Sequence, residues 1–541
     1  MQITLAQINP TIGDIIGNAR LICEAVSQVN SGLVVFPELS LTGYYPADLM
    51  ANSSFMPRVY SGLGEIQRFS ESKDLYIIIG APTINNGVGK SLFNSLLVIH
   101  KGEIIHSYNK QLLPNYDVFN ERRHFESGSG EDGILDIDGL RVGFIICEDG
   151  WDDAALYTSS PIRSLVKHNP NIIISINASP SCIGKQEERE KLFKELNTRF
   201  FKRYSIPFVY VNAVGGHDEL VFDGNSFVVN KNGEIVVRLP AFKSAIQTYD
   251  IDSLNLLPDL NTSMVSDVEL MYSQIVLGLR DYTRRCHFTD VIVGSSGGID
   301  SALTLALATA ALGYQHVTAI EMPSPYSSES SVSDSEQLCA NLGIKRISIP
   351  ITESFSVIHD SYVSGTGSKL AGVALENLQA RIRGTLLMAY SNMTGSLLLT
   401  TGNKSEIAVG YTTLYGDSNG GLNLIGDLYK TDVYSLSRYV NRDKEIIPNN
   451  ILVKEPSAEL SAGQKDSDSL PPYDKLDAIL KYLIENNSKP ENLPQAMISK
   501  ISRMLAGSEY KRRQAAPIIK CHQKSFGIGR QIPLTAVQYE D

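Results

Sequence analysis

Residues 291–301 read Val-Ile-Val-Gly-Ser-Ser-Gly-Gly-Ile-Asp-Ser, and they narrow the folds open to this chain more than any other stretch. The β-branched run Val291–Val293 predicts a strand, and the Ala- and Leu-rich run Ser301–Leu312 predicts a helix. A second apolar run, Val317–Glu321, predicts another strand. Strand, tight turn, helix and strand form the pattern of a parallel βαβ unit. The turn is built from Gly and Ser, which let backbone N–H groups approach a ligand closely. The next helix adds the positive end of its dipole, so the turn predicts an anion site. It is no Walker A loop, because the Gly-Lys-Ser/Thr ending is missing. Asp300 stands where phosphates would lie, and an acid there implies a bridging Mg²⁺. The plainer alternative is an ordinary βα turn capped by Asp and Ser.

At 541 residues the chain is too long for one hydrophobic core, so two or three domains are expected. The first half is rich in short strand patterns: Ile3–Ile8, Leu33–Phe36, Tyr76–Ala81, Ser95–His100, Val142–Cys147, Ile172–Asn177, Phe208–Asn212 and Ser226–Val229. Helical patterns at Ile15–Val29 and Lys185–Tyr204 separate some of them. Turn residues at Asn85-Asn86 and Asn230–Gly233 add antiparallel pairing, which predicts a layered α/β sandwich. The pattern breaks near Asp252–Val265, so domains are expected at 1–255 and 267–541 with a linker at 256–266. In the second, Leu375, Leu378, Ile382 and Leu386 recur at helical spacing and predict a core stripe. Ser324–Ser335 and Glu455–Pro472 predict exposed loops.

Composition removes several classes. The net charge of -11 argues against a broad basic surface for nucleic acid. The six cysteines form no C-x-x-C pair, which argues against a zinc knuckle or a disulfide framework and fits a reducing, cytoplasmic compartment. No basic region followed by a long apolar run opens the chain, and no run approaches the roughly 18 apolar residues of a membrane span.

Three segments of the first half end strands on reactive residues: Phe36-Pro37-Glu38, Tyr108-Asn109-Lys110 and Ile146-Cys147-Glu148. Active groups favour such ends, where loops meet a rigid sheet. Cleaving an amide needs a nucleophile, a base and an oxyanion stabiliser. Cys147, Glu38 and Lys110 supply one of each. Taken singly, Cys147 reads as a small core residue and the other two as surface charges or an ion pair. In the second half, Glu406 opens a helix, where it suits a metal ligand or a capping acid equally.

With these neighbours, the order Glu, Lys, Cys resembles the nitrilase superfamily over nearly all of residues 1–250. The resemblance implies an α-β-β-α sandwich with Glu38 as base, Lys110 for the oxyanion and Cys147 as nucleophile. It extends to Tyr116–Arg123, where Glu121 matches an extra carboxylate beside the triad, and to Asn177–Lys185. Tyr116, Glu121, Ser179 and Lys185 are thereby implied to bind glutamine.

The loop Gly294-Ser295-Ser296-Gly297-Gly298-Ile299-Asp300-Ser301 resembles that of the ATP-pyrophosphatases. These cleave ATP between its α- and β-phosphates and adenylate a carboxyl or carbonyl oxygen. Together with Glu376–Arg383, Thr401–Glu406 and Tyr429–Tyr434, it is similar to the NAD⁺ synthetases, and Tyr510–Pro517 resembles their glutamine-dependent branch. This implies a parallel-sheet α/β domain with residues 294–301, Thr401 and Lys430 binding ATP. Asn377, Arg381, Glu406 and Lys511 are implied near deamido-NAD⁺, and Asp300 and Glu406 at Mg²⁺. The resemblance further implies a homo-oligomer, and glutamine, ATP and deamido-NAD⁺ as the small-molecule partners. A different carboxylate acceptor is one rival; a nucleotide-sensing module joined to a stand-alone amidase is another.

Overall fold

The computed structural model describes the chain except residues 130–132, 152–155, 201–205, 261–264, 458, 462 and 538–541, and the side chains of 198–200. The chain divides into two compact units: Met1–His217 with Val221–Met264, and Asp218–Leu220 with Val265–Asp541. No helix among the described residues is long and apolar enough to cross a membrane.

The first unit holds two six-stranded sheets. In spatial order one runs Ala245–Asp250, Gln2–Gln7, Gly32–Val35, Leu75–Ile84, Leu92–His100, Glu103–Asn109. The other runs Ile235–Arg238, Phe227–Val229, Phe208–Asn212, Ile172–Asn177, Leu140–Ile146, Ile134–Ile137. Alternation along each strand decides which layer a side chain enters. Ile172, Ile174 and Ile176 join Ile3, Leu5, Val35 and Val98 in the core between the sheets. Ile173 points the other way, into a cluster with Phe193 and Leu196 of the helix Lys185–Phe200. That is the expected α-β-β-α layering. Parallel pairing sets the end at Ile146, before Cys147, beside the end at Asn177, before Ser179. Glu38, which follows Gly32–Val35 in the other sheet, meets them by donating its N–H to the Asn177 carbonyl at 3.4 Å.

The second unit is built on a five-stranded parallel sheet. Its order is Lys345–Ser348, Val317–Glu321, Val291–Ser295, Leu397–Thr400, Leu422–Asn423. The chain steps outward in one direction from Val291–Ser295 and then in the other. The crevice beyond the carboxyl ends of Val291–Ser295 and Leu397–Thr400 is therefore a topological switch point, where such sheets bind ligands.

Two local expectations are corrected. Ser324–Ser335 is not all loop, because a helix runs from Glu329 to Leu342. Ser328 caps it, accepting from the Ser331 N–H, and Ser331 and Ser335 turn inward and are buried. Serine content signalled a loop; capping and burial made a helix. In the helix Val373–Thr394 the buried face is Gln379, Ala380, Ile382, Gly384 and Leu387. Of the expected stripe Ile382 is buried and Leu378 and Leu386 pack half-buried against the same cluster, while Leu375 is half-exposed near the start of the helix.

Candidate active sites

In the first unit Lys110 is fully buried between two buried carboxylates. Its Nζ donates to Glu38 Oε1 at 2.7 Å and to Glu121 Oε1 at 2.7 Å. Asn94 Nδ2 donates to the same Glu38 oxygen at 2.7 Å, and the Ala178 N–H to the other at 3.1 Å. Tyr44 donates to Glu121 at 2.8 Å. Burial opposes the Lys110 charge, but Glu121 and Glu38 outweigh it and hold the ammonium charged, well above its ordinary range. Burial pushes Glu121 up.

Cys147 follows its strand in a left-handed backbone conformation, φ 42°, at the start of a short 3₁₀ turn. A non-glycine residue held there stores strain of the kind found at functional sites. Burial pushes the Cys147 thiol well up, Glu38 adds to this, and Lys110 works against it. The resting sulfur is therefore a thiol, so a base must take its proton at the moment of attack.

Two acids that the sequence did not single out complete this site. Asp149 is fully buried and ties the two reactive strand ends together. Its Oδ1 accepts from the Gln111 and Leu112 N–H groups at 3.0 and 2.8 Å. Its Oδ2 accepts from Tyr108 at 2.8 Å and from the Ile146 N–H at 3.1 Å. Burial pushes Asp149 up to about 6. Glu148 accepts from Tyr116 at 2.9 Å and from Tyr157 at 2.6 Å, and burial raises it too. Both follow Cys147 directly in sequence, which was the available signal.

Of the implied glutamine contacts, Glu121 and Tyr116 belong to this cluster. Ser179 is pinned nearby: its N–H donates to Asn212 at 2.9 Å and its hydroxyl accepts from Arg189 Nε at 3.1 Å. Lys185 is parked differently, with its Nζ 3.9 Å above the Trp151 ring and 2.9 Å from Glu188.

In the second unit a cavity of about 270 Å³ opens at the switch point. Gly294, Ser295, Ser296, Gly298, Ile299, Asp300 and Ser301 line it, with Thr401, Glu406 and Lys430. Gly297 does not line it but shapes the turn. At φ +75° a Cβ there would lie 2.3 Å from the Ser331 carbonyl oxygen, so only glycine lets the loop pack against that turn. Lys430 Nζ donates to Asp300 Oδ2 at 2.6 Å and to Glu406 Oε1 at 3.0 Å. Burial, offset by Lys430, raises Glu406 to about 7. Asn403, unnoticed in its motif, caps the helix Lys404–Val409 and links both acids: its Oδ1 accepts from the Glu406 N–H, and its Nδ2 donates to Asp300 at 2.9 Å. Arg383 also lines the cavity, donating to the Met322 carbonyl at 3.1 Å.

Asn377, Arg381 and Lys511 lie off the cavity lining and converge on one loop, residues 410–417. Asn377 accepts from Thr413 at 2.7 Å, and Arg381 donates to the Leu414 carbonyl at 3.2 Å. Lys511 donates to the Gly410 and Thr412 carbonyls, both at 2.7 Å. Glu406, four residues upstream, joins this loop to the cavity.

The two units match two families. Residues 2–256 match the Carbon-nitrogen hydrolase family and residues 271–515 the NAD synthase family. The chain is 42% identical to a glutamine-dependent NAD(+) synthetase of Synechocystis sp., covering 98% of each chain. Among solved structures, it is similar to the glutamine-dependent NAD⁺ synthetase of Acinetobacter baumannii in complex with ADP: 35% identity, TM-score 0.77, 98% of each chain covered. The fold is shared with the enzyme of Cytophaga hutchinsonii at TM-score 0.82 and 19% identity, over 99% of this chain and 98% of that one. The fold and sites thus define a ligase with a carbon–nitrogen hydrolase unit and an NAD synthase unit on one chain. The chain belongs to the family of glutamine-dependent NAD⁺ synthetases.

Proposed function

We propose that the chain makes NAD⁺ from deamido-NAD⁺, ATP and glutamine through a thioester in residues 1–255 and an adenylate in residues 267–541. The observation that carries the first half is the buried Lys110 between Glu38 and Glu121, beside a Cys147 kept as a thiol. As the sulfur attacks the amide carbon of glutamine, Glu38 takes the thiol proton. Two N–H bonds of Lys110 are spent on the carboxylates, and the third is free for the oxyanion. Glu38 returns the proton to the leaving nitrogen, and ammonia departs. Glu38 then takes a proton from the water that attacks the thioester and passes it to the departing Cys147 sulfur, releasing glutamate and restoring the thiol.

In the second unit the nicotinic carboxylate attacks the α-phosphorus of ATP, and pyrophosphate leaves. Ammonia attacks the acyl carbon, and AMP leaves with the oxygen. The 294–301 loop presents backbone N–H groups to the phosphates, and Lys430 supplies a charge beside them. Mg²⁺ fits the donor set. Asp300 and Glu406 are hard oxygen donors facing one cavity, and the Lys430 ammonium group bridges them. Magnesium takes one or two carboxylates plus substrate phosphates, which these two would provide. Bound there, the ion would neutralise charge on the phosphates. Asn377, Arg381, Glu406 and Lys511 would hold deamido-NAD⁺ at the 410–417 loop.

Self-association is supported by exposed apolar residues of the second unit. The helix Thr352–Thr366 buries none of its residues, and Val357, Ile358 and Tyr362 are exposed with Val373 and Met393. None of the six cysteines is in a disulfide, which suits a cytoplasmic enzyme.

Product analysis tests the adenylate. One AMP and one pyrophosphate per NAD⁺, with pyrophosphate exchange into ATP requiring deamido-NAD⁺, is the expected result. ADP and phosphate would overturn it.

A further inference from the structure

Arg189 is fully buried on the helix Lys185–Phe200, and every arm of its guanidinium is engaged. NH1 donates to both Asp223 oxygens at 2.8 and 3.0 Å, and to Gln186 at 3.3 Å. NH2 donates to the Ser179 and Pro180 carbonyls at 2.7 and 2.8 Å. Nε donates to the Ser179 hydroxyl oxygen at 3.1 Å. Asp223, also buried, cancels the charge and is itself held by Asn225 at 2.8 Å. A buried ion pair of this kind is a weak source of stability, so its use is better sought in what it orients.

What it orients is one hydroxyl. Asn212 holds the Ser179 backbone from both sides, through the N–H at 2.9 Å and the carbonyl at 3.2 Å. The side-chain oxygen accepts from Arg189, so its single hydrogen must point elsewhere. On that side its neighbour is the buried Tyr210 hydroxyl, which interacts with it but closes no hydrogen bond of good geometry. A carboxylate is a much stronger acceptor than a phenol.

We infer that Arg189 is a positioning residue that fixes Ser179 as an obligate donor to the α-carboxylate of glutamine, setting the preference for glutamine over amides lacking that group. The inference rests on the glutaminase reading above. The Arg189–Asp223 pair is neutral overall, so it adds direction rather than charge. The planar fork matters because lysine has no second and third arm to hold the Ser179 and Pro180 carbonyls.

The test compares glutamine with 4-aminobutanamide, which keeps the amide, the chain and the amine but lacks the carboxylate. In Arg189→Lys, KM for glutamine should rise about tenfold with little change in kcat, and kcat/KM for 4-aminobutanamide should hold. Arg189→Gln gives the same readout should the lysine variant fold poorly. Asp223→Asn, which leaves the fork on Ser179, should keep the preference. An unchanged ratio between the substrates in the Arg189 variants, or an equal loss in Asp223→Asn, overturns the inference. Wild-type protein that releases no ammonia from glutamine would instead overturn the glutaminase reading itself.

Discussion

Lys110 donates to Glu38 at 2.7 Å with both side chains out of reach of water. An ion pair so placed is weak support for stability but costly to break on one side. Replacing Lys110 with alanine leaves Glu38 and Glu121 facing each other uncompensated. We expect about 3–5 kcal/mol of destabilisation in the first unit, read as a lowered midpoint in urea. Glu38→Gln keeps the shape and removes the base, so glutamine hydrolysis should fall about a hundred- to ten-thousand-fold. Equal stability of Lys110→Ala and wild type would contradict the buried pairing.

Asp149 gives the glutaminase an acid limb. Its carboxylate accepts four hydrogen bonds yet sits near 6, because burial outweighs them. Below that pH the group gains a proton and loses part of its hold on the Ile146 and Leu112 N–H groups. Glutamine hydrolysis should therefore decline with an apparent pKa near 6, and Asp149→Asn should lose that limb. The stability effect has the opposite sense. The folded state binds this proton more tightly than the unfolded chain, so the Asp149 contribution becomes less favourable as pH rises from about 4 to 6, by ~3 kcal/mol. An acid limb unchanged in Asp149→Asn would assign it to another group.

Gly297 is the tightest point of the 294–301 loop. Gly297→Ala must shift either the loop or the Ser331 turn, since the added carbon meets a carbonyl oxygen. KM for ATP should rise at least tenfold whether glutamine or ammonium supplies nitrogen. Glutamine hydrolysis assayed alone should persist. Unchanged ATP kinetics would show that the loop is looser than its geometry.

Legibility followed the physics of each feature. The parallel βαβ unit and the sandwich were readable, because β-branched runs bounded by turn residues are local signals, as at Val291–Ser301 and Ile172–Asn177. Glu38, Lys110 and Cys147 were readable as strand-end residues with complementary chemistry. Asp149, Arg189 and Asn403 were not. Their meaning lies in partners 37, 10 and 103 residues away, which no local pattern encodes. Ser324–Ser335 misled because inward-facing serines at helical spacing look like a loop in composition.

The central claim is that two separable sites on this chain make and use ammonia. The most direct measurement is NAD⁺ formation from deamido-NAD⁺, ATP and Mg²⁺ by wild type and Cys147→Ala, with glutamine or with ammonium. The account predicts that the variant loses synthesis from glutamine and keeps it with ammonium. Full glutamine-driven synthesis by Cys147→Ala would contradict it.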